Sequence, residues 1–180
     1  LDANTSGTID AASIDELTGS ADDLVTAYAA FDAGTITGLG KETITVDSGT
    51  ATTSEANTLA AATSEIVTAT LADSDMATLA ALNETGHAYS ISITETSVNA
   101  DELNALNDIT TVDIDAESIT TISGSVSDIA TLYTSGGFSG LGDEELIFTF
   151  ENIQADELIL IDQANSLSLI HISEPTRQLC

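Results

Sequence analysis

Apolar residues along the chain alternate between two spacings. In ETITV (42–46), YSISI (89–93), VDIDA (112–116) and LIFTF (146–150) every second residue is apolar, which predicts short strands with one face inward. Between them the spacing widens to three and four. Leu24 with Tyr28, Leu103 with Leu106, and Ile129 with Leu132 and Tyr133 each predict one apolar stripe on a short helix. Polar residues mark where these helices begin. Ser20 with Asp23, Asn99 with Glu102, Ser125 with Asp128 and Gln154 with Glu157 place a capping side chain three residues ahead of an acid. Ile9, Ile44, Ile91, Ile114 and Phe148 are thereby predicted inward on strands, and Leu24, Leu103, Ile129 and Leu158 inward on helices.

The pattern repeats. IDAASIDELTGSADDLVTAY (9–28) aligns without gaps on IDAESITTISGSVSDIATLY (114–133), and GTITGLGKE (34–42) on GGFSGLGDE (136–144). SDMATL (74–79) matches SDIATL (127–132), ADELNAL (100–106) matches ADELILI (155–161), and IDQANS (161–166) matches the opening LDANTS (1–6). The register implies tandem units of roughly 45 to 55 residues over 1–166, about three in all and truncated at both ends. Each unit holds two half-units of strand and helix, and the GLG turns at 38–40 and 140–142 are expected to close the longer half. A strand and a helix every 20 or so residues predicts an α/β fold, a repetitive solenoid of short parallel strands and short helices. A β-solenoid in which the helical stretches are loops is the alternative.

The last fourteen residues break the vocabulary, holding the only proline (Pro175), the only cysteine (Cys180) and Arg177. Leu167–Arg177 resembles, residue for residue, the conceptual translation of a transposon-end adaptor used to prepare sequencing libraries. Residues 167–180 are therefore expected to be an artefactual tail, with the natural repeat continuing beyond Ser166.

Charge narrows the function classes. Thirty acidic residues face two basic ones, giving a formal net charge of −28. Nucleic-acid binding needs clustered Lys and Arg, which Lys41 and Arg177 cannot supply. No apolar run reaches the roughly 20 residues that span a bilayer. With 42% hydrophobic residues, the chain carries enough apolar material to fold beneath an acidic surface.

Candidate chemistry is sparse. DANTSGTIDAAS (2–13) resembles an EF-hand or dockerin-type calcium loop, with Asp2, Asn4, Ser6 and Asp10 as the oxygen ligands. Ser13 stands where such a loop needs a bidentate acid, so a polar turn feeding a strand at 9–11 is the competing reading. His87 stands alone beside Gly86 and reads as surface or strand-edge filler. The acid pairs Asp22–Asp23 and Glu144–Glu145 read as helix caps and solvated faces, and the repeated Tyr28 and Tyr133 as packing residues. No catalytic residue and no cofactor is assigned, calcium excepted.

Taken together, the Thr/Asp-rich repeats resemble segments of giant secreted or cell-surface proteins of marine bacteria, cyanobacteria especially. The resemblance implies a non-enzymatic spacer or adhesin stalk outside the cell, whose partners are neighbouring repeats of the same chain. A calcium- or glycan-binding repeat module is the alternative.

Overall fold

The computed structural model describes residues 5–149 and 154–166. The expected tail at 167–180 and the end of the 146–150 strand lie outside them. Along the chain run β1 (Ile9–Asp10), β2 (Glu16–Ser20), α1 (Ala21–Asp32), β3 (Ile36–Thr37), β4 (Thr43–Ser48) and α2 (Thr53–Ala62). There follow β5 (Val67–Thr70), α3 (Met76–Leu79), β6 (Ala88–Ser90), β7 (Ser97–Asn99) and α4 (Ala100–Asn107). The last described elements are β8 (Ile114–Asp115), β9 (Thr121–Gly124), α5 (Val126–Ser135), β10 (Phe138–Ser139), β11 (Glu145–Phe148) and α6 (Ala155–Ala164). This is a mixed α/β fold of short helices and short strands, and every pairing between the named strands is parallel.

The helices occur where local sequence can start them. Ser20, Thr52, Asp75 and Ser125 each accept an amide of the first turn, and Thr52 with Glu55 forms a complete capping box. Two expected caps are corrected. Asn99 and Gln154 hold the cap position without a side-chain bond. At α4, Asp101 Oδ1 takes the Glu102 N–H instead, at 2.9 Å, so that amide is not left for Asn99. Gln154 carries one methylene more than the short side chains that reach a first-turn amide.

Parallel strands cannot be joined by a tight turn, so the chain crosses a helix or loop before returning. The strands form ladders in the orders β2–β4–β5–β6, β7–β9–β11, β1–β3 and β8–β10. Partners such as Glu16 with Thr43, Ile44 with Val67, Thr68 with Ala88 and Thr121 with Glu145 put each strand beside the next one or two along the chain. The helices follow suit, α1 against α2, and α5 between α4 and α6.

The core lies between ladders and helices, made of Ile44, Leu59, Val67, Leu79, Ile91, Leu103, Ile114, Ile122 and Ile129 among others. Each such side chain contributes roughly 1.5–3 kcal/mol by leaving water. Ile44, Ile91, Ile114, Leu24, Leu103 and Ile129 point inward as the pattern predicts. Ile9, Phe148 and Leu158 are only part-buried.

The two GLG stretches turn the chain into a strand as expected, lying between β3 and β4 and between β10 and β11. Gly38 has φ +87°, and a Cβ there would stand 2.5 Å from the Ala12 backbone nitrogen. At Gly140 (φ +84°) a Cβ would stand 2.8 Å from the Glu117 backbone. Each turn therefore rests directly on the bend of the layer before it, and only glycine permits both the conformation and the approach.

Candidate functional site: two buried tyrosine–glutamate clamps

Among the described residues two glutamates are buried, Glu42 and Glu144, each 1% exposed. Each stands two residues past the last glycine of a GLG turn, and each meets a tyrosine from the preceding helix. In the first unit, the α1 stripe turns Tyr28 inward beside Leu24, and its hydroxyl donates to Glu42 Oε1. The Gly40 N–H donates to both carboxylate oxygens, at 3.0 and 2.8 Å, and the Lys41 N–H to Oε2 at 3.0 Å. Gly40 adopts φ +110°, part of the backbone path that folds these amides back over the carboxylate. The Thr63 hydroxyl closes the site from beyond α2, donating to the Glu42 carbonyl at 2.6 Å.

A buried carboxylate is costly unless hydrogen bonds replace its water. Burial pushes the Glu42 carboxyl up, but the Tyr28 hydroxyl and the Gly40 and Lys41 amides outweigh it and hold it below the usual carboxylate range. The Tyr28 phenol is driven upward by burial, by its bond to Glu42 and by that residue's charge. Tyr28 is thus fixed as donor and Glu42 as acceptor.

The second unit builds the same object with different parts. Tyr133 donates to Glu144 Oε2 at 2.5 Å, and the Gly142 N–H to both oxygens at 2.9 and 3.0 Å. Asn165 replaces Thr63. Its amide group reaches both the Tyr133 hydroxyl, at 3.1 Å, and the Glu144 carbonyl, at 2.9 Å. Burial again raises the tyrosine most, with the Glu144 bond and charge adding to it and Asn165 opposing. In both units the glutamate joins helix and turn through its carboxylate and the following segment through its backbone carbonyl.

The sequence found these residues without finding their partnership. Glu144 was expected on a solvated face beside Glu145; the structure buries Glu144 and exposes Glu145. The usable signal was the joint recurrence of Tyr, GLG and Glu in both units. For His87 the surface reading is corrected, since it is 8% exposed, while it does stand at a strand edge, bridged to Thr110 directly before β6. Its Nδ1 accepts the Val67 N–H at 3.1 Å, and its ring tilts against Tyr89 at 5.5 Å between centroids. Burial lowers the His87 value, against a smaller opposing effect of Glu84, and pushes the Tyr89 phenol up to about 12.

Of the four calcium-loop residues, Asp2 and Asn4 lie outside the described residues. Ser6 and Asp10 are exposed. Asp10 Oδ1 accepts the Ala12 N–H at 3.0 Å, just as Asp115 Oδ1 accepts the Glu117 N–H at 3.2 Å, so each aspartate shapes the bend after its strand. Among the described residues no three His, Cys, Asp or Glu side chains gather where they could hold a metal ion. No helix among them is long and apolar enough to cross a membrane.

Comparisons with protein-family models, curated proteins and solved structures give no match. The chain's likeness to itself is therefore the guide to function.

Proposed function

We propose that this chain is a non-enzymatic structural segment, an α/β solenoid serving as spacer or adhesin stalk in a large acidic protein of the cell surface or extracellular space. The observation that carries the reading is the recurring clamp. Two buried glutamates, whose carboxylates are among the costliest groups to bury, each hold a helix and turn by the carboxylate and the next segment by the backbone carbonyl, and leave little of themselves to solvent. Parallel pairing between successive strands supports it, since such layers extend without enlarging one core. The surface setting rests on the acidic composition and on the resemblance in repeat style.

Small-angle scattering tests the spacer directly. Duplicating residues 9–113 in tandem should lengthen the particle in proportion to the added layers at unchanged cross-section. Growth of the radius of gyration as for a compact domain, roughly the 0.38 power of chain length, would overturn it.

A further inference from the structure

Asparagine side chains in this fold mostly serve the backbone of the next segment. Asn104 Nδ2 donates to the Asp128 carbonyl at 2.9 Å, and Asn107 Nδ2 to the Gly136 carbonyl at 3.2 Å. Asn57 does the same twice, donating to the Ala81 carbonyl at 2.8 Å and accepting the Asn83 N–H at 3.2 Å. Asn83 differs. It is exposed on the segment between α3 and β6, and among the described residues its side chain has no hydrogen-bond partner.

That segment is held at both ends. Asn57 grips Ala81 and Asn83 from α2, and the Gly86 N–H donates to the Ile109 carbonyl at 3.2 Å, directly before His87 bridges to Thr110. Leu82 and His87 are 6% and 8% exposed, and Gly86 takes φ +85° to lead the chain back into the sheet. Between these anchors Asn83, Glu84 and Thr85 are exposed and belong to no helix or strand. Three consecutive side chains thus stand out from a fixed base.

Asn-x-Thr with a middle residue other than proline is the acceptor sequence for asparagine-linked sugars. The transfer needs a free carboxamide, a hydroxyl two residues on for the transferase to read, and a backbone not committed to a helix or ladder. Asn83, Glu84 and Thr85 supply all three. The comparison with Asn99 is instructive: it too is exposed and makes no side-chain bond at its cap, but Asp101 stands where the hydroxyl is required. Asn57 fails twice, with its carboxamide engaged and Leu59 two residues on.

We propose that Asn83 is a glycan acceptor, taking a sugar whose anomeric carbon is activated by a pyrophosphate ester. Asn83 Nδ2 forms the bond to that carbon as the carbon–oxygen bond to the pyrophosphate breaks. The pyrophosphate leaves with the electron pair, the amide gives one proton to a base of the transferase, and nothing is oxidised or reduced. Lipid-linked and nucleotide-linked donors share this chemistry. A bulky hydrated group here covers the exposed segment without displacing a core side chain. The inference rests on the presentation of this one segment and not on the spacer role.

Transfer to the folded full chain tests it, with an oligosaccharyltransferase and lipid-linked oligosaccharide in one arm. The other arm uses a soluble asparagine glycosyltransferase with its nucleotide sugar. Mass spectrometry of proteolytic fragments should place the added mass on Asn83 in at least one arm, and that arm identifies the carrier. Asn4-Thr5-Ser6 has the same pattern and is scored separately. Asn83→Gln and Thr85→Ala should lose the product and Thr85→Ser should keep it; both positions are exposed, and circular dichroism verifies the fold. Two unproductive arms overturn the proposal, as does a product that survives Thr85→Ala. So does modification of a synthetic peptide of residues 78–90 in an arm that leaves Asn83 of the folded chain untouched.

Discussion

Ile14 and Ile119 occupy the same place in two near-identical stretches, yet one is 39% exposed and the other 2%. Their strands, bends and following helices correspond element by element, so composition does not separate them. The neighbour does. The second unit has the β7–α4 layer against it, while the first presents the same face open. The burial of an isoleucine here follows from what packs against its strand and not from its own stretch of sequence. The clamps show the complementary lesson. Thr63 and Asn165 are chemically different, but each delivers a donor to the backbone carbonyl of the buried glutamate. What recurs is the demand for hydrogen bonds, and different side chains meet it.

Alanine substitution at the paired isoleucines probes the first contrast and carries the largest expected effect. Ile119→Ala should destabilise the chain by about 4 kcal/mol, combining lost burial with a cavity, whereas Ile14→Ala should cost under about 1 kcal/mol. Urea unfolding measures both, and equal losses would erase the distinction between covered and open faces.

The clamps give the next effect. Glu42→Ala leaves the Tyr28 hydroxyl and the Gly40 and Lys41 amides without their acceptor, for an expected loss of about 3 kcal/mol. Glu144→Ala should cost less, about 2 kcal/mol, because the acceptor it removes serves the Tyr133 hydroxyl and the Gly142 amide, one backbone amide fewer than at Glu42. The reverse order in the same denaturation assay would show that the Lys41 amide does not add to the Glu42 clamp.

The pH response is smaller and separates His87 from the clamps. His87 is held below its ordinary 6.5, so the unfolded chain protonates first; the stability from its neutral form is present above pH 6.5 and declines as pH falls below it. Glu42 is held below its ordinary 4.5; its contribution is present above that value and lost as pH falls through the folded one. Melting temperatures between pH 7 and 5.5 should therefore fall in the parent chain and fall less in His87→Gln. An unchanged slope in the variant would remove His87 from the account.

Much of the fold was legible because it is written locally. Alternation marked β4 and β11, and Ser20 and Ser125 announced α1 and α5 three residues ahead of their acids. What escaped depends on contacts between layers. Tyr28 and Glu42 are 14 positions apart, His87 and Val67 are 20 apart, and no periodicity within a segment reports either bond. The GLG turns were visible as turns, but their placement between two strands depends on Gly38 and Gly140 seating on Ala12 and Glu117. Asn99 failed as a cap because Asp101, two positions on, took the amide.

Amide hydrogen exchange at Glu16 and Thr121 tests the central contrast most directly. The Thr121 N–H donates across to Thr96 at 3.0 Å. Glu16 is its counterpart, and since the Asp15 carbonyl faces β4 by accepting the Thr43 N–H, the Glu16 amide points to the open edge. In dilute protein at low salt, Thr121 should exchange slower than Glu16 by on the order of 100-fold or more after correction for intrinsic rates. Equal protection of the two amides in the dilute chain would contradict the account.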